Sequence, residues 1–127
     1  MKKVTINSSG GLDNLTIVEA ADPTPGIGEV LVKWHATSLN YHDYLVAAGA
    51  IPVPDGRVPM SDGAGEIVAV GKDVYDWSVG DKVMSMFFPG WVEGKPSIRK
   101  IAGVSGETID SYIQEMSCIS AEGITAI

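Results

Sequence analysis

The chain has 127 residues, of which 45% are hydrophobic and 20% charged, so its composition excludes an intrinsically disordered protein. This length suits one domain with a hydrophobic core. The net charge of -7 and the pI near 4.6 argue against nucleic acid and anionic membrane surfaces as partners. The sequence begins without the apolar segment of a secretory signal, which predicts a cytoplasmic protein.

The first forty residues predict strands. Residues 1–6 and 15–20 form two strands, joined by a turn over Ser8, Ser9, Gly10 and Gly11. Prolines and glycines make 22–28 a stiff loop. Residues 29–38 then form the clearest strand of the chain, because their apolar side chains are β-branched or aromatic.

A short helix is predicted over residues 40–49. Asn40 is a plausible N-cap, Asp43 lies in the first turn, where a carboxylate is favourable, and Gly49 is a plausible stop. Beyond it, three prolines prevent regular structure: Pro52, Pro54 and Pro59.

Glycines punctuate the next segment. Residues 66–70 and 82–86 predict two antiparallel strands, with a turn at 71–73 after the first. Gly63 and Gly65 stand where a side chain does not fit or where φ is positive, and turn chemistry alone also explains them.

The remaining segment is a long connection followed by one more strand. Residues 87–110 contain two prolines and four glycines, and connections of this length are usually functional, disordered or an inserted lid. Residues 112–120 alternate as a strand does, and we interpret Cys118, the only cysteine, as an ordinary buried thiol. Short strands with few helices predict a mainly β, partly open antiparallel barrel.

Four segments, in order, resemble the medium-chain dehydrogenase/reductase superfamily, which includes the zinc-type alcohol dehydrogenases. They are Pro23 to Val32, Ser38 to Asp43, Pro59 to Gly71, and Gly80-Asp81-Lys82-Val83. The resemblance implies the N-terminal catalytic domain of these oxidoreductases, which has a GroES-like fold, over residues 1–127.

The chain departs from the zinc enzymes of this superfamily. Asn40 stands where they place a cysteine ligand and Ser61 where they place a histidine ligand, and neither residue type is a good zinc ligand. Asp62 is one carboxylate without partners. Residues 86–110 carry none of the four cysteines of the structural zinc lobe. The resemblance is thus to the zinc-independent branch, with quinone and enoyl reductases, and no metal site is predicted.

The resemblance places Asn40, Tyr41, His42 and Asp43 at the reacting end of the cleft. His42 is either a proton relay or a surface histidine at the start of a helix. Tyr41 and Tyr44 either offer a phenol to a substrate carbonyl or pack against the barrel. Asn40 either bonds cofactor or substrate, together with Tyr41, or acts only as the N-cap. Asp43 orients its neighbours.

The predicted substrate pocket combines polar and aromatic side chains. Apolar pockets with a few polar groups are the usual sites for small molecules. Phe87, Phe88 and Trp91 either form a lid over the cleft or close the core at the end of a strand. The full predicted pocket set is Tyr44, Ser61, Asp62, Phe87, Phe88 and Trp91.

A dinucleotide-binding unit is missing from the sequence. Gly26-Ile27-Gly28 and Gly63-Ala64-Gly65 both precede strands, whereas the nucleotide-binding glycine turn opens a helix. We therefore predict that the nucleotide-binding domain is absent and that the chain is a truncated product or an isolated domain. An exposed interdomain face would then favour self-association into a homo-oligomer.

Two functions follow as hypotheses. In the first, a complete enzyme containing this domain transfers a hydride between NAD(P)H and a small carbonyl, alcohol or enone, without zinc. The chain alone is expected to be inactive. In the second, the chain is a non-enzymatic interaction module with a GroES-like fold, because a fold does not fix a function. A zinc enzyme with substituted ligands is a third alternative.

Overall fold

The computed structural model describes residues 1–7 and 10–127, which form a mainly β domain with short helices. Its strands are β1 (Lys2–Ile6), β2 (Leu15–Glu19), β3 (Glu29–Ala36), β4 (Ala64–Val70), β5 (Lys82–Ser85), β6 (Met116–Ser120) and β7 (Ile124–Ala126). Its α-helices are α1 (Tyr41–Ala47) and α2 (Ile98–Ile101), and 3-10 turns cover Leu12–Asn14 and Ala121–Gly123. Ser8 and Ser9, in the predicted turn between β1 and β2, lie outside the described residues.

The main sheet curls into a partly open barrel. Its strand order is β6-β3-β4-β5-β7, all neighbours are antiparallel, and β1 and β2 form a separate hairpin. β6 and β7 lie at opposite edges although only Ala121–Gly123 separates them. The four residue-to-residue steps from Ser120 to Ile124 reach about 15 Å, whereas the four inter-strand spacings from β6 to β7 would span about 19 Å in a flat sheet. The edges must therefore approach each other, and the predicted GroES-like barrel is confirmed.

The core fills the inside of this barrel. Val30, Val32 and Trp34 alternate along β3 and are at most 8% exposed, so this face of the strand is buried in the core. Ile67 and Val83 meet them from β4 and β5, and both are fully buried. Burial of each such aliphatic side chain contributes about 1.5–3 kcal/mol. The remaining core side chains are Tyr112, Ile119 and Ile124.

Most of the predicted elements are confirmed, and the corrections fall in the last third of the chain. The strand expected over 112–120 begins only at Met116. The preceding residues bond instead to β1 and to 58–59, for example through Val4 N–H to the Ile113 carbonyl at 3.0 Å. Helix α2 and strand β7 were not predicted, because four and three residues are too few for a periodic pattern.

The antiparallel pairing of β3 and β4 brings the candidate site together. Ala36, at the end of β3, is the partner of Ala64, at the start of β4. Residues 37–40, which lead into α1, therefore lie beside residues 61–63, which lead into β4. None of the helices within 1–7 and 10–127 is long and apolar enough to cross a membrane.

Candidate active site

A hydrogen-bonded cluster joins the two segments at this end of the barrel. The Asn40 amide nitrogen donates to Ser61 Oγ at 3.0 Å and to Asp62 Oδ2 at 2.9 Å. Ser38 donates to Asp62 Oδ1 through its backbone N–H at 3.1 Å and its hydroxyl at 2.9 Å. Thr37 Oγ1 donates to the Asp62 carbonyl at 2.6 Å. These contacts fix the loop before β4 against the loop before α1.

The hydrogen bonds keep Asp62 ionised. Burial alone would raise the pKa of its carboxyl group, since burial penalises the charged form. Hydrogen bonds from the Asn40 amide, and from the backbone and hydroxyl of Ser38, outweigh burial. The pKa of Asp62 therefore lies below its ordinary value, and the cluster carries a negative charge at neutral pH.

A cleft opens beside this cluster, with a volume of about 460 Å³. Asp62 and Ser38 provide its charged and polar wall, and Phe87 contributes an aromatic ring. Gly63 also lines the cleft, and its N–H donates to Ser85 Oγ at 2.9 Å. The other lining residues are Ala36, Thr37, Ala64, Met84 and Ser85. The cleft is thus apolar with a few polar groups at one side, which is typical of small-molecule sites.

The start of α1 is held by Asp43, which is 2% exposed. Its Oδ2 accepts the Asn40 N–H at 2.8 Å, so it caps the helix and fixes the residue that bonds Ser61 and Asp62. The predicted orienting role of Asp43 agrees with this contact. Gly49 follows the helix with a φ of 83°, as expected for a stop position.

His42 contacts the long connection rather than the cleft. Its Nε2 donates to Glu107 Oε2 at 2.9 Å, because a carboxylate only accepts, and its ring meets Phe87 edge-on at 5.3 Å. Its Nδ1 is buried without a hydrogen bond, 3.7 Å from the similarly unbonded Asp43 Oδ1. The structure does not support the alternative that His42 is a surface histidine, because its side chain is only 21% exposed.

The predicted tyrosines lie on the outside of α1. Tyr41 is 75% exposed and Tyr44 is 49% exposed, and their rings stack at 6.2 Å. Tyr41 therefore does not pack against the barrel, and it stands outside the lining of the cleft. Tyr44 stands outside the lining of the cleft.

The aromatic side chains of the long connection form a row. Phe87 meets Phe88 edge-on at 4.7 Å, and Phe88 lies 6.3 Å from Trp91. Of the three, only Phe87 lines the cleft. Phe88 packs against Phe87 and Trp91 packs against Phe88, but neither lines the cleft. Ser61 belongs to the hydrogen-bonded cluster, is fully buried and does not form part of the cleft wall.

Ser38 and Glu107 were missed by sequence reasoning. Ser38 lies in the strand-to-helix segment that resembles the superfamily, so its position was a usable signal. Glu107 reaches His42 across 65 residues of sequence, and no local pattern marks that contact.

The residues at the zinc positions do not present the ligands that zinc prefers. Zinc is bound by thiolate, imidazole and carboxylate groups. Asn40 instead directs its N–H donors at Ser61 and Asp62. Across 1–7 and 10–127, no three His, Cys, Asp or Glu side chains are grouped so that they could hold a metal ion.

Comparison with known proteins identifies the family. The model of the alcohol dehydrogenase GroES-like domain matches residues 26–127. The chain belongs to this family. The GroES-like domain is 35% identical over 127 residues to a zinc-type alcohol dehydrogenase-like protein of Schizosaccharomyces pombe, covering 98% of this chain and 37% of that protein. It is also 42% identical over 81 residues to the chloroplastic quinone-oxidoreductase QR1 of Triphysaria versicolor, covering 61% and 25%.

A solved structure supports the same fold. The GroES-like domain superposes on an NAD-dependent alcohol dehydrogenase with a TM-score of 0.83 at 26% identity, covering 99% of this chain and 39% of that one. The chain thus spans less than half the length of these relatives. It is a domain of an oxidoreductase family whose members act on small molecules.

Proposed function

We propose that this domain is the substrate-binding part of a zinc-independent oxidoreductase that transfers a hydride between NAD(P)(H) and a small carbonyl, alcohol or conjugated alkene. The hydrogen-bonded cluster of Ser38, Asn40, Ser61 and Asp62 carries this proposal. At the positions that resemble the zinc ligands, these side chains form hydrogen bonds with one another. The cluster lies beside a cleft of about 460 Å³, a size suited to a small molecule. The relatives named as an NAD-dependent alcohol dehydrogenase and a quinone oxidoreductase support the reaction class.

The side chains of this domain bind and orient the substrate, while the nicotinamide supplies the hydride chemistry. The resemblance to the superfamily assigns Tyr41, which is exposed beside the cleft lining, the role of offering its phenol to the substrate oxygen in a complete enzyme. Asn40 fixes the charged wall of the cleft, and it would help to hold the nicotinamide cofactor in a complete enzyme. His42, held by Glu107, packs edge-on against Phe87 and keeps this ring of the cleft wall in place.

Turnover by a chimaera tests the proposal. The chain is joined to the C-terminal part of the Schizosaccharomyces pombe relative, and oxidation of NADPH and NADH is followed with aldehydes, quinones and enones. We expect turnover that a zinc chelator does not reduce. Tyr41→Phe should lower kcat about 100-fold, as expected for the loss of one hydrogen-bond donor to a reacting oxygen.

Tyr44→Phe is the matched control, because it removes the same hydroxyl group from the less exposed ring of the stacked pair on the same helix, and it should leave kcat unchanged. Loss of turnover in chelator with recovery in zinc would contradict the zinc-independent assignment. Full activity of Tyr41→Phe would remove the role of the phenol. If no substrate in the panel is turned over while the chimaera is folded, the interaction-module hypothesis is favoured.

A further inference from the structure

The carboxylate of Asp62 has one acceptor position that the protein does not use. A carboxylate offers about four such positions. Three donors occupy three of these positions: the backbone N–H of Ser38, the hydroxyl group of Ser38 and the side-chain amide of Asn40. The Ser38 hydroxyl lies 2.9 Å from Oδ1 and 3.1 Å from Oδ2. The remaining position belongs to a side chain that lines the cleft. A molecule in the cleft can therefore donate one hydrogen bond to it.

No positive charge balances Asp62 from the cleft wall. The other lining residues are uncharged, and among the described residues Asp62 forms no ion pair with Lys, Arg or His. Its donors, Ser38 and Asn40, are neutral. Burial raises the pKa of Asp62, but hydrogen bonds from these two residues bring it below its ordinary value, so the carboxylate is charged at neutral pH. An anion entering the cleft would face this charge without compensation.

The rest of the wall selects an apolar body. Ala36, Ala64, Met84 and Phe87 line the cleft, and apolar side chains stabilise a bound hydrocarbon group by removing its surface from water. The cleft thus has two unlike parts, a carboxylate with one free acceptor position and an apolar wall facing it.

We propose that Asp62 determines the specificity of this cleft. It selects compact apolar molecules whose head group carries a positive charge or donates a hydrogen bond, and it rejects molecules that carry a carboxylate. This selection deepens the proposed function and rests on it only in taking this cleft as the substrate site. It does not depend on how the bound molecule reacts.

Three probes of similar shape test the selection: benzylamine, benzyl alcohol and benzoate. Each is titrated at pH 7 into the 15N-labelled chain, and backbone amide shifts of Ser38, Gly63 and Phe87 report occupancy of the cleft. We expect protonated benzylamine to bind about fivefold more tightly than benzyl alcohol, which is the scale of one partly exposed ion pair. Benzoate should bind more weakly than both.

Asp62→Asn should bring the three dissociation constants close together, because it removes the charge and keeps the shape. Asp76→Asn removes the same charge from an exposed turn and should leave the order unchanged. The proposal is overturned if benzoate binds as tightly as benzylamine, or if Asp62→Asn preserves the preference. It is also overturned if the shifts fall only in the second cavity, of about 370 Å³, between Ile17 and Trp34.

The outcome is independent of the turnover experiment. Failure of the binding preference leaves hydride transfer by the chimaera untouched. Absence of turnover leaves the binding preference measurable in the chain itself.

Discussion

Gly65→Ala is expected to lower the free energy of unfolding by about 3 kcal/mol or more. A Cβ atom at this position would lie 2.2 Å from the Lys33 carbonyl oxygen and 2.9 Å from Val32 Cγ1. The first contact is with backbone, so no rotamer change relieves it. Strand β4 would have to move away from β3, and the loop carrying Ser61 and Asp62 would move with it.

Urea unfolding followed by tryptophan fluorescence measures this loss. Gly103→Ala is the matched control, since its Cβ would meet only Ile109 Cδ1 at 3.9 Å, and a change within about 0.5 kcal/mol is expected. A Gly65→Ala variant as stable as Gly103→Ala would contradict the close approach of β3 and β4.

Trp34→Ala is expected to cost about 3–5 kcal/mol, the range typical of a buried aromatic side chain. Trp34 is 8% exposed and packs edge-on against Tyr112 at a ring distance of 4.6 Å. Its Nε1 also donates to Ser117 Oγ at 2.7 Å, which ties β3 to β6. The variant would lose the packing and the hydrogen bond together.

Trp34→Phe separates the two contributions, because it keeps an aromatic ring against Tyr112 and removes the donor to Ser117. We expect it to retain more than half of the stability lost in Trp34→Ala, as a typical hydrogen bond contributes about 0.5–1.5 kcal/mol. Thermal unfolding followed by circular dichroism gives the comparison. Equal losses in the two variants would show that the hydrogen bond, not the packing, stabilises this side of the barrel.

The fold was predictable where a local pattern carried the information. β-Branched and aromatic side chains marked β3, and glycines bounded β4 and β5, so these elements were found close to their true ends. Gly65 had two explanations in sequence, and the contact with Lys33 decides for lack of room, since its φ is not positive. The segment 112–115 was assigned to the wrong element because its partners, β1 and 58–59, are remote in sequence.

The sequence predicted which residues of the site lie close together, but not which of them face the cleft. The resemblance to zinc enzymes placed Asn40 and Ser61 at positions that should meet, and the structure puts their side chains 3.0 Å apart. Which residues face the cleft depends on the path of the chain between β3 and α1, and sequence does not specify it. Ser38 was therefore named only as part of a resembling segment and not as a site residue, while Phe88 and Trp91 were placed in a pocket that they do not line.

We propose that hydrogen bonds among Ser38, Asn40, Ser61 and Asp62 take the place of a zinc ion. The most direct test is the zinc content of the purified chain after incubation with excess zinc and desalting. A variant carrying both Asn40→Cys and Ser61→His restores two preferred ligands at adjacent side chains and serves as the positive control. We predict that this variant retains zinc and that the unaltered chain does not. Stoichiometric zinc in the unaltered chain, lost in both Ser61→Ala and Asp62→Asn, would contradict it.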